Sequence, residues 1–158
     1  MSGSAEPPNM ADEAYELALR ALGRKERSSA QLAEWLRERG VDAGGVEEVI
    51  GRLIELGELD DERFALRYAE DKRALAGWGV ERIRDALLAR GIALEHVEAA
   101  LAGDSDDIQI RRAGELLARR DRGLDSEADR ASALGYLTRR GYSYEIAHEA
   151  IRARARDA

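Results

Sequence analysis

One short pattern occurs three times at nearly constant spacing: Leu36-Arg37-Glu38-Arg39-Gly40, Leu87-Leu88-Ala89-Arg90-Gly91 and Leu137-Thr138-Arg139-Arg140-Gly141. The three glycines lie 51 and 50 residues apart. Such a period means a tandem array of small modules, in which neighbours bury what one unit cannot bury alone. An array offers an extended surface rather than one pocket. The first functional expectation is therefore binding, not chemistry.

The flanks of each glycine say what it does. Twelve residues upstream stand Ser28, Gly79 and Asp129, all suited to begin a helix. Ser28 and Gln31 have the spacing of a capping box. The glycine itself suits the position just past a helix, which needs positive φ. Leu32, Ile83 and Ala133 match within these helices, as do Leu36, Leu87 and Leu137 four residues later. That spacing shares one helix face.

An apolar residue follows each glycine: Val41, Ile92 or Tyr142. Then comes a further helix, capped by Asp42 or Ser143 but not by Ala93. Its stripe reads Val46, Val49, Ile50, Leu53, Ile54 in the first module, Val97 and Leu101 in the second, and Ile146 and Ile151 in the third.

A leading helix completes each module. The three run from about Ala11 to Glu26, Asp61 to Ala76 and Asp107 to Arg120. Their stripes are Tyr15, Ala18, Leu19 and Leu22; Phe64, Ala65 and Tyr68; and Ile110, Ala113, Leu116 and Leu117. Asp121 to Glu127 reads as a longer loop. The expected fold is all-α, an elongated tandem array of three three-helix repeats at 11–57, 58–103 and 104–158. Residues 1–10 are small, polar and proline-containing, the composition of a disordered tail.

Composition narrows the function. Aromatic residues make up 5% of the chain and charged ones 36%, which suits several small aliphatic cores better than one large one. Without cysteine the chain has neither disulfides nor thiolate metal sites. No run is long enough to span a membrane and no signal peptide is evident, so a cytoplasmic protein is expected. Net charge is −7, against the basic footprint of a protein that lives on duplex DNA. The charge is uneven: residues 1–57 carry 7 basic and 11 acidic side chains, 58–103 carry 7 and 10, and 104–158 carry 11 and 11.

The stretch Gly57-Glu58-Leu59-Asp60-Asp61-Glu62-Arg63-Phe64-Ala65-Leu66-Arg67-Tyr68, followed by Gly77-Trp78-Gly79-Val80-Glu81-Arg82-Ile83 and by Leu87 through Gly91-Ile92, resembles the RecX family of regulators of the bacterial recombinase RecA. Arg112-Ala113 and the Arg139-Arg140-Gly141-Tyr142 turn extend the likeness, which covers about residues 12–155. The resemblance implies a monomer of three-helix repeats that binds RecA filaments on single-stranded DNA. It would reduce their ATPase, strand-exchange and co-protease activities, and so modulate recombination, DNA repair and the SOS response.

No residue pattern points to catalysis, a cofactor or a metal. Asp60-Asp61 reads as the acidic start of a helix, favoured by the helix dipole. His96 and His148 occupy unmatched positions and lack companions. Gly77-Trp78-Gly79 has no preceding strand and reads as a turn, with Trp78 packed on a neighbouring module. Trp35 reads as core.

The candidate partner- or DNA-binding residues are Arg111, Arg112, Arg119, Arg120, Arg139, Arg140 and Tyr144. The first four recur at separations of seven or eight, which places them along one helix face. That face is either solvated with local ion pairs, or contacts an acidic protein surface or DNA phosphates. Tyr142 is expected in the core, and Tyr144 could stack on a base. A helix-turn-helix DNA-binding regulator is the rival reading. The acidic runs Val46-Glu47-Glu48 and Glu95-His96-Val97-Glu98 argue against it, being unfavourable near phosphates.

Overall fold

The computed structural model describes residues 10–157. Among them are nine helices and no strand: α1 (Met10–Arg24), α2 (Ser29–Glu38), α3 (Ala43–Glu55), α4 (Asp61–Ala76), α5 (Val80–Ala89), α6 (Leu94–Leu101), α7 (Asp106–Arg119), α8 (Glu127–Arg139) and α9 (Tyr144–Arg156). The expected disordered tail lies outside the described residues, except that Met10 already belongs to α1.

Local signals set most helix ends. Ser28 caps α2 by accepting from the Gln31 amide at 3.1 Å, and the Gln31 side chain accepts from the Ser28 amide at 3.1 Å. Asp42 caps α3 and Ser143 caps α9, whereas Ala93 leaves α6 without a side-chain cap. Asp60 accepts from the Arg63 amide at 3.0 Å at the start of α4. The third module departs from expectation. Ser126, not Asp129, caps α8, accepting from the Asp129 amide at 3.0 Å. The helix gains most of a turn because Ser126 offers its oxygen first, leaving Asp129 inside the first turn, where its charge suits the dipole.

Gly40, Gly91 and Gly141 have φ of 84°, 76° and 96°. Around the first, the Gly40 amide donates to Arg37 O at 3.0 Å and the Val41 amide to Leu36 O at 3.2 Å. Gly141 and Tyr142 repeat this with Thr138 O at 3.0 Å and Leu137 O at 3.1 Å. This is the double-bonded glycine stop, which satisfies carbonyls a helix end would otherwise leave open.

The chain divides into two compact units. The first comprises residues up to Phe64 together with Arg90–Ile92; the second comprises Ala65–Ala89 and the chain from Ala93. In the first unit α1, α2 and α3 enclose Ala18, Leu32, Leu36, Val49 and Leu53. In the second, α7, α8 and α9 enclose Ala113, Leu117, Ala133, Leu137 and Ile151. Ile83, Leu87 and Val97 of α5 and α6 are also fully buried.

The expected stripes need two corrections. On α1 the buried residues are Ala14, Ala18 and Ala21, while Tyr15, Leu19 and Leu22 only border the core. Alanine lets a neighbouring helix approach closely, which a larger stripe would prevent. On α3, Val46, Val49 and Leu53 are buried but Ile54 is 52% exposed. An i, i+3, i+7 stripe is enough for a helix touched on one side.

Candidate partner interface

The glycine turns are contact points as well as helix stops. In the second unit the start of α5 abuts the third turn. The Gly79 amide donates to Arg140 O at 2.7 Å, the Glu81 amide to Gly141 O at 3.0 Å, and the Arg82 guanidinium to Arg139 O at 3.2 Å. Gly79 is required by this approach: a Cβ there would stand 2.5 Å from Gly141 O. In the first unit the start of α2 meets the turn Arg90–Ile92. The buried Ser28 hydroxyl donates to Arg90 O at 2.6 Å, and a Cβ on Gly91 would collide with the Cβ of Ala30. Helix starts carry partial positive charge and helix ends partial negative charge, so each contact pairs opposite poles.

Asp61 adds a second fastening. Its carboxylate accepts from the Ser29 amide at 2.8 Å and the Ser29 hydroxyl at 2.6 Å, joining the starts of α4 and α2. The acidic pair Asp60-Asp61 thus serves two helix starts. Among the described residues no group of three His, Asp or Glu side chains could hold a metal.

The predicted arginines do not share one face. Arg112 and Arg119 line a groove of about 460 Å³ with Glu70, Glu115 and Tyr142, whereas Arg111 borders a different one with Arg154. Arg120 turns toward α8, bonding the Ser132 hydroxyl and lying 4.9 Å from the Tyr136 ring. Arg140 covers the same ring at 3.9 Å. Seven- and eight-residue spacing drifts around a helix, and in α7 that drift is enough to send long side chains into different grooves.

Arg111, Arg119 and Arg139 are exposed and form no ion pair among the described residues. Among the described residues Arg37 pairs with Glu34 at 3.5 Å, Arg52 with Asp12 at 3.6 Å, and Arg152 with Glu149 at 2.7 Å. Arg84 and Glu98 share a hydrogen bond at 2.9 Å that raises the guanidinium's pKa and lowers the carboxyl's. Tyr144 is 60% exposed, its ring set edge-on to His148 at 4.2 Å.

Arg112 has a structural engagement that spacing could not show. Its guanidinium meets Asp104 at 2.5 Å, and Arg73 holds the other carboxylate oxygen through Nε at 3.0 Å and also through Nη2. Arg73 donates further to Ala100 O at 2.9 Å. The Asp104 side chain is 2% exposed. One carboxylate between two guanidiniums is thereby compensated where water is scarce.

Beside this cluster Tyr142 is buried, as expected, and burial pushes its hydroxyl from the ordinary 10.0 up to about 12. Arg112 opposes the rise, and Asp104 and Glu115 add to it. The folded state therefore keeps a proton that the unfolded chain releases near pH 10. The stability linked to it is intact below that pH and lost as the pH climbs toward 12. In an alkaline titration followed by tyrosinate absorbance, one of the five tyrosines should ionise near pH 12, and Tyr142→Phe should remove that step. All five ionising together near pH 10 would contradict the burial argument.

Both tryptophans are half-buried, Trp35 against the first core and Trp78 beside Asp104, Arg112 and Tyr142, and each also serves as a cation platform. Arg39 lies 3.5 Å from the centre of the Trp35 ring, and Trp78 has Arg82 at 4.1 Å and Lys72 at 4.7 Å. Trp35–Arg39 and Tyr136–Arg140 are equivalent pairs, an aromatic four residues before the arginine that precedes the glycine. That spacing was visible in the sequence and is the one signal that could have found them.

Comparison with known proteins places the chain. Residues 14–53 match the family model of the first three-helix domain of RecX, and residues 60–101 that of the second. The chain is 33% identical over 153 residues to Regulatory protein RecX of Thermobifida fusca, covering 95% of this chain and 83% of that one. It is 36% identical over 159 residues to Regulatory protein RecX of Deinococcus radiodurans, covering 95% and 76%. The crystal structure of RecX from Lactobacillus salivarius superposes with a TM-score of 0.81 at 25% identity, covering 92% of this chain and 96% of that one. With its all-α tandem repeats and these relatives along almost its whole length, the chain belongs to the RecX family of regulatory proteins.

Proposed function

We propose that this RecX-family protein binds RecA filaments on single-stranded DNA and lowers their ATPase, strand-exchange and co-protease activities. It acts as a cytoplasmic monomer, with repeats at 11–57, 58–103 and 104–158 as linked binding modules. Arg111, Arg112, Arg119, Arg120, Arg139, Arg140 and Tyr144 are its contact residues toward an acidic filament surface or DNA phosphates. The observation that carries the reading is the third repeat's set of exposed arginines with no carboxylate partner among the described residues, Arg111, Arg119 and Arg139, in a chain of net charge −7. Unpaired guanidiniums are already poised for carboxylate or phosphate.

Linked modules gain affinity from several weak contacts, because each one engaged raises the local concentration of the next. A chain spanning neighbouring protomers would resist the rearrangements that ATP turnover and strand exchange require.

The test is DNA-dependent ATPase and strand exchange by RecA as this protein is added. Inhibition is expected at or below one chain per protomer, and its absence there would sink the proposal. The triple variant Arg111→Glu, Arg119→Glu, Arg139→Glu should raise the half-inhibitory concentration about tenfold, more steeply at low salt. Gel shifts on duplex DNA alone should be weak. Tight, salt-sensitive duplex binding would instead favour a helix-turn-helix regulator.

A further inference from the structure

Two of the three glycine turns receive the start of a helix, α2 on the Arg90–Ile92 turn and α5 on the Arg140–Gly141 turn. The first turn has the same backbone, with Gly40 at φ 84° and the same pair of closing hydrogen bonds. Yet nothing among the described residues stands within 4 Å of a Cβ built on Gly40. No donor among the described residues reaches Arg39 O or Gly40 O. Alongside lies a groove of about 750 Å³ between α1, the turn and α3. Five carboxylates line it, from Asp12, Glu13, Glu16, Asp42 and Glu48, against the guanidiniums of Arg20 and Arg39. Asp42 is occupied capping α3 and Asp12 meets Arg52 at 3.6 Å, but Glu13, Glu16 and Glu48 have no cation among the described residues.

We propose that the Arg39–Gly40 turn and its acidic groove form a docking surface for the first turn of a helix supplied by a partner protein, with a small residue at the cap and a basic one within the first turn. The two occupied turns supply the template. Their guests present Ser28 or Gly79 at the cap, and α5 adds Arg82, which bonds a turn carbonyl. The guest's amides and partial positive charge would face the open carbonyls and the α2 helix end. The groove's negative balance selects a basic guest. A second copy of this chain fits poorly. Its remaining helix start of this class, α8, offers Ser126 and Ala128 but carries Glu127 and Asp129 in the first turn. The inference stands independently of whether RecA is the partner.

The probe is a synthetic peptide of residues 77–90, the segment whose helix start the third turn receives. Added to the full-length, isotope-labelled protein, it should shift the Gly40 and Val41 amides saturably, and added salt should weaken the effect. Gly40→Asn tolerates positive φ while placing a side chain on the docking face, so it should fold and lose the shifts. Glu13→Lys with Glu16→Lys leaves the turn intact and should weaken binding about tenfold. A peptide carrying Arg82→Glu and Arg84→Glu should fail to bind. Absence of shifts at about 1 mM peptide, or binding unchanged in both protein variants, overturns the proposal. Self-association of the peptide-free protein that Gly40→Asn abolishes also overturns it, by naming a second copy as the guest.

Discussion

Gly141→Ala is expected to cost about 3–5 kcal/mol of stability, and Gly40→Ala only about 1–2 kcal/mol. Both glycines have positive φ, 96° and 84°, so both substitutions carry the strain of an L-residue in the left-handed region. They differ in what surrounds them. Gly40 is exposed with nothing among the described residues within 4 Å of a new Cβ, whereas at buried Gly141 the Cβ would be driven into Arg82, with the backbone nitrogen 2.6 Å away. That nitrogen belongs to α5 and cannot rotate aside as a flexible side chain can. Relief requires α5 to retreat, which stretches the bonds from Gly79 to Arg140 O and from Glu81 to Gly141 O. Urea unfolding of the two variants measures the difference. Equal losses would mean that the contact between α5 and the turn contributes nothing.

Asp104→Ala is expected to cost about 3 kcal/mol or more, among the largest effects of any single side chain here. The carboxylate is 2% exposed and holds Arg73, itself 15% exposed, and Arg112, which is 36% exposed. Removing it leaves the Arg73 charge with little water and no counter-ion, the costliest way to break such a cluster. Arg112→Met should cost much less, about 1 kcal/mol, because Asp104 keeps Arg73 and the Arg112 head can already reach solvent. Because the cluster is sheltered, salt should change the Asp104→Ala loss little. A loss below that of Arg112→Met would show that Asp104 is not the centre of the cluster. Gln109 donates to the Asp104 carbonyl at 2.9 Å, so backbone anchoring survives the substitution and the measured effect reports the carboxylate.

The two experiments probe features of different legibility. Helix starts and stops depend on a few adjacent residues. Ser28 with Gln31, Asp42, Ser143 and the glycines after Arg39, Arg90 and Arg140 could therefore be read directly, because their hydrogen bonds close within one turn. Ser126 was missed because Asp129 offered a chemically equivalent cap three residues later. Core positions such as Leu36, Leu87 and Leu137 followed from the repeat. Ile54 and the α1 stripe did not, since period alone marks the middle of a buried face and not its edges.

The arginine set shows the same boundary. Spacing grouped Arg111, Arg112, Arg119 and Arg120, yet Arg112 is drawn to Asp104 and Arg120 to Ser132 and Tyr136. Which cations are left for a partner depends on acceptors brought in from other helices. Asp104 lies 31 residues from Arg73, and no local pattern announces that pairing.

By itself the sequence determined the helices, most of their ends and most of their buried faces, because caps, glycine stops and a 3.6-residue period act over one or two turns. The tertiary structure alone decided what the recurring glycines do beyond ending helices. Their carbonyls acquire a role only when another helix start, 61 residues away for Gly79 and Arg140, is carried to within hydrogen-bonding distance. The packing of apolar faces brings those poles together and leaves the Gly40 turn open.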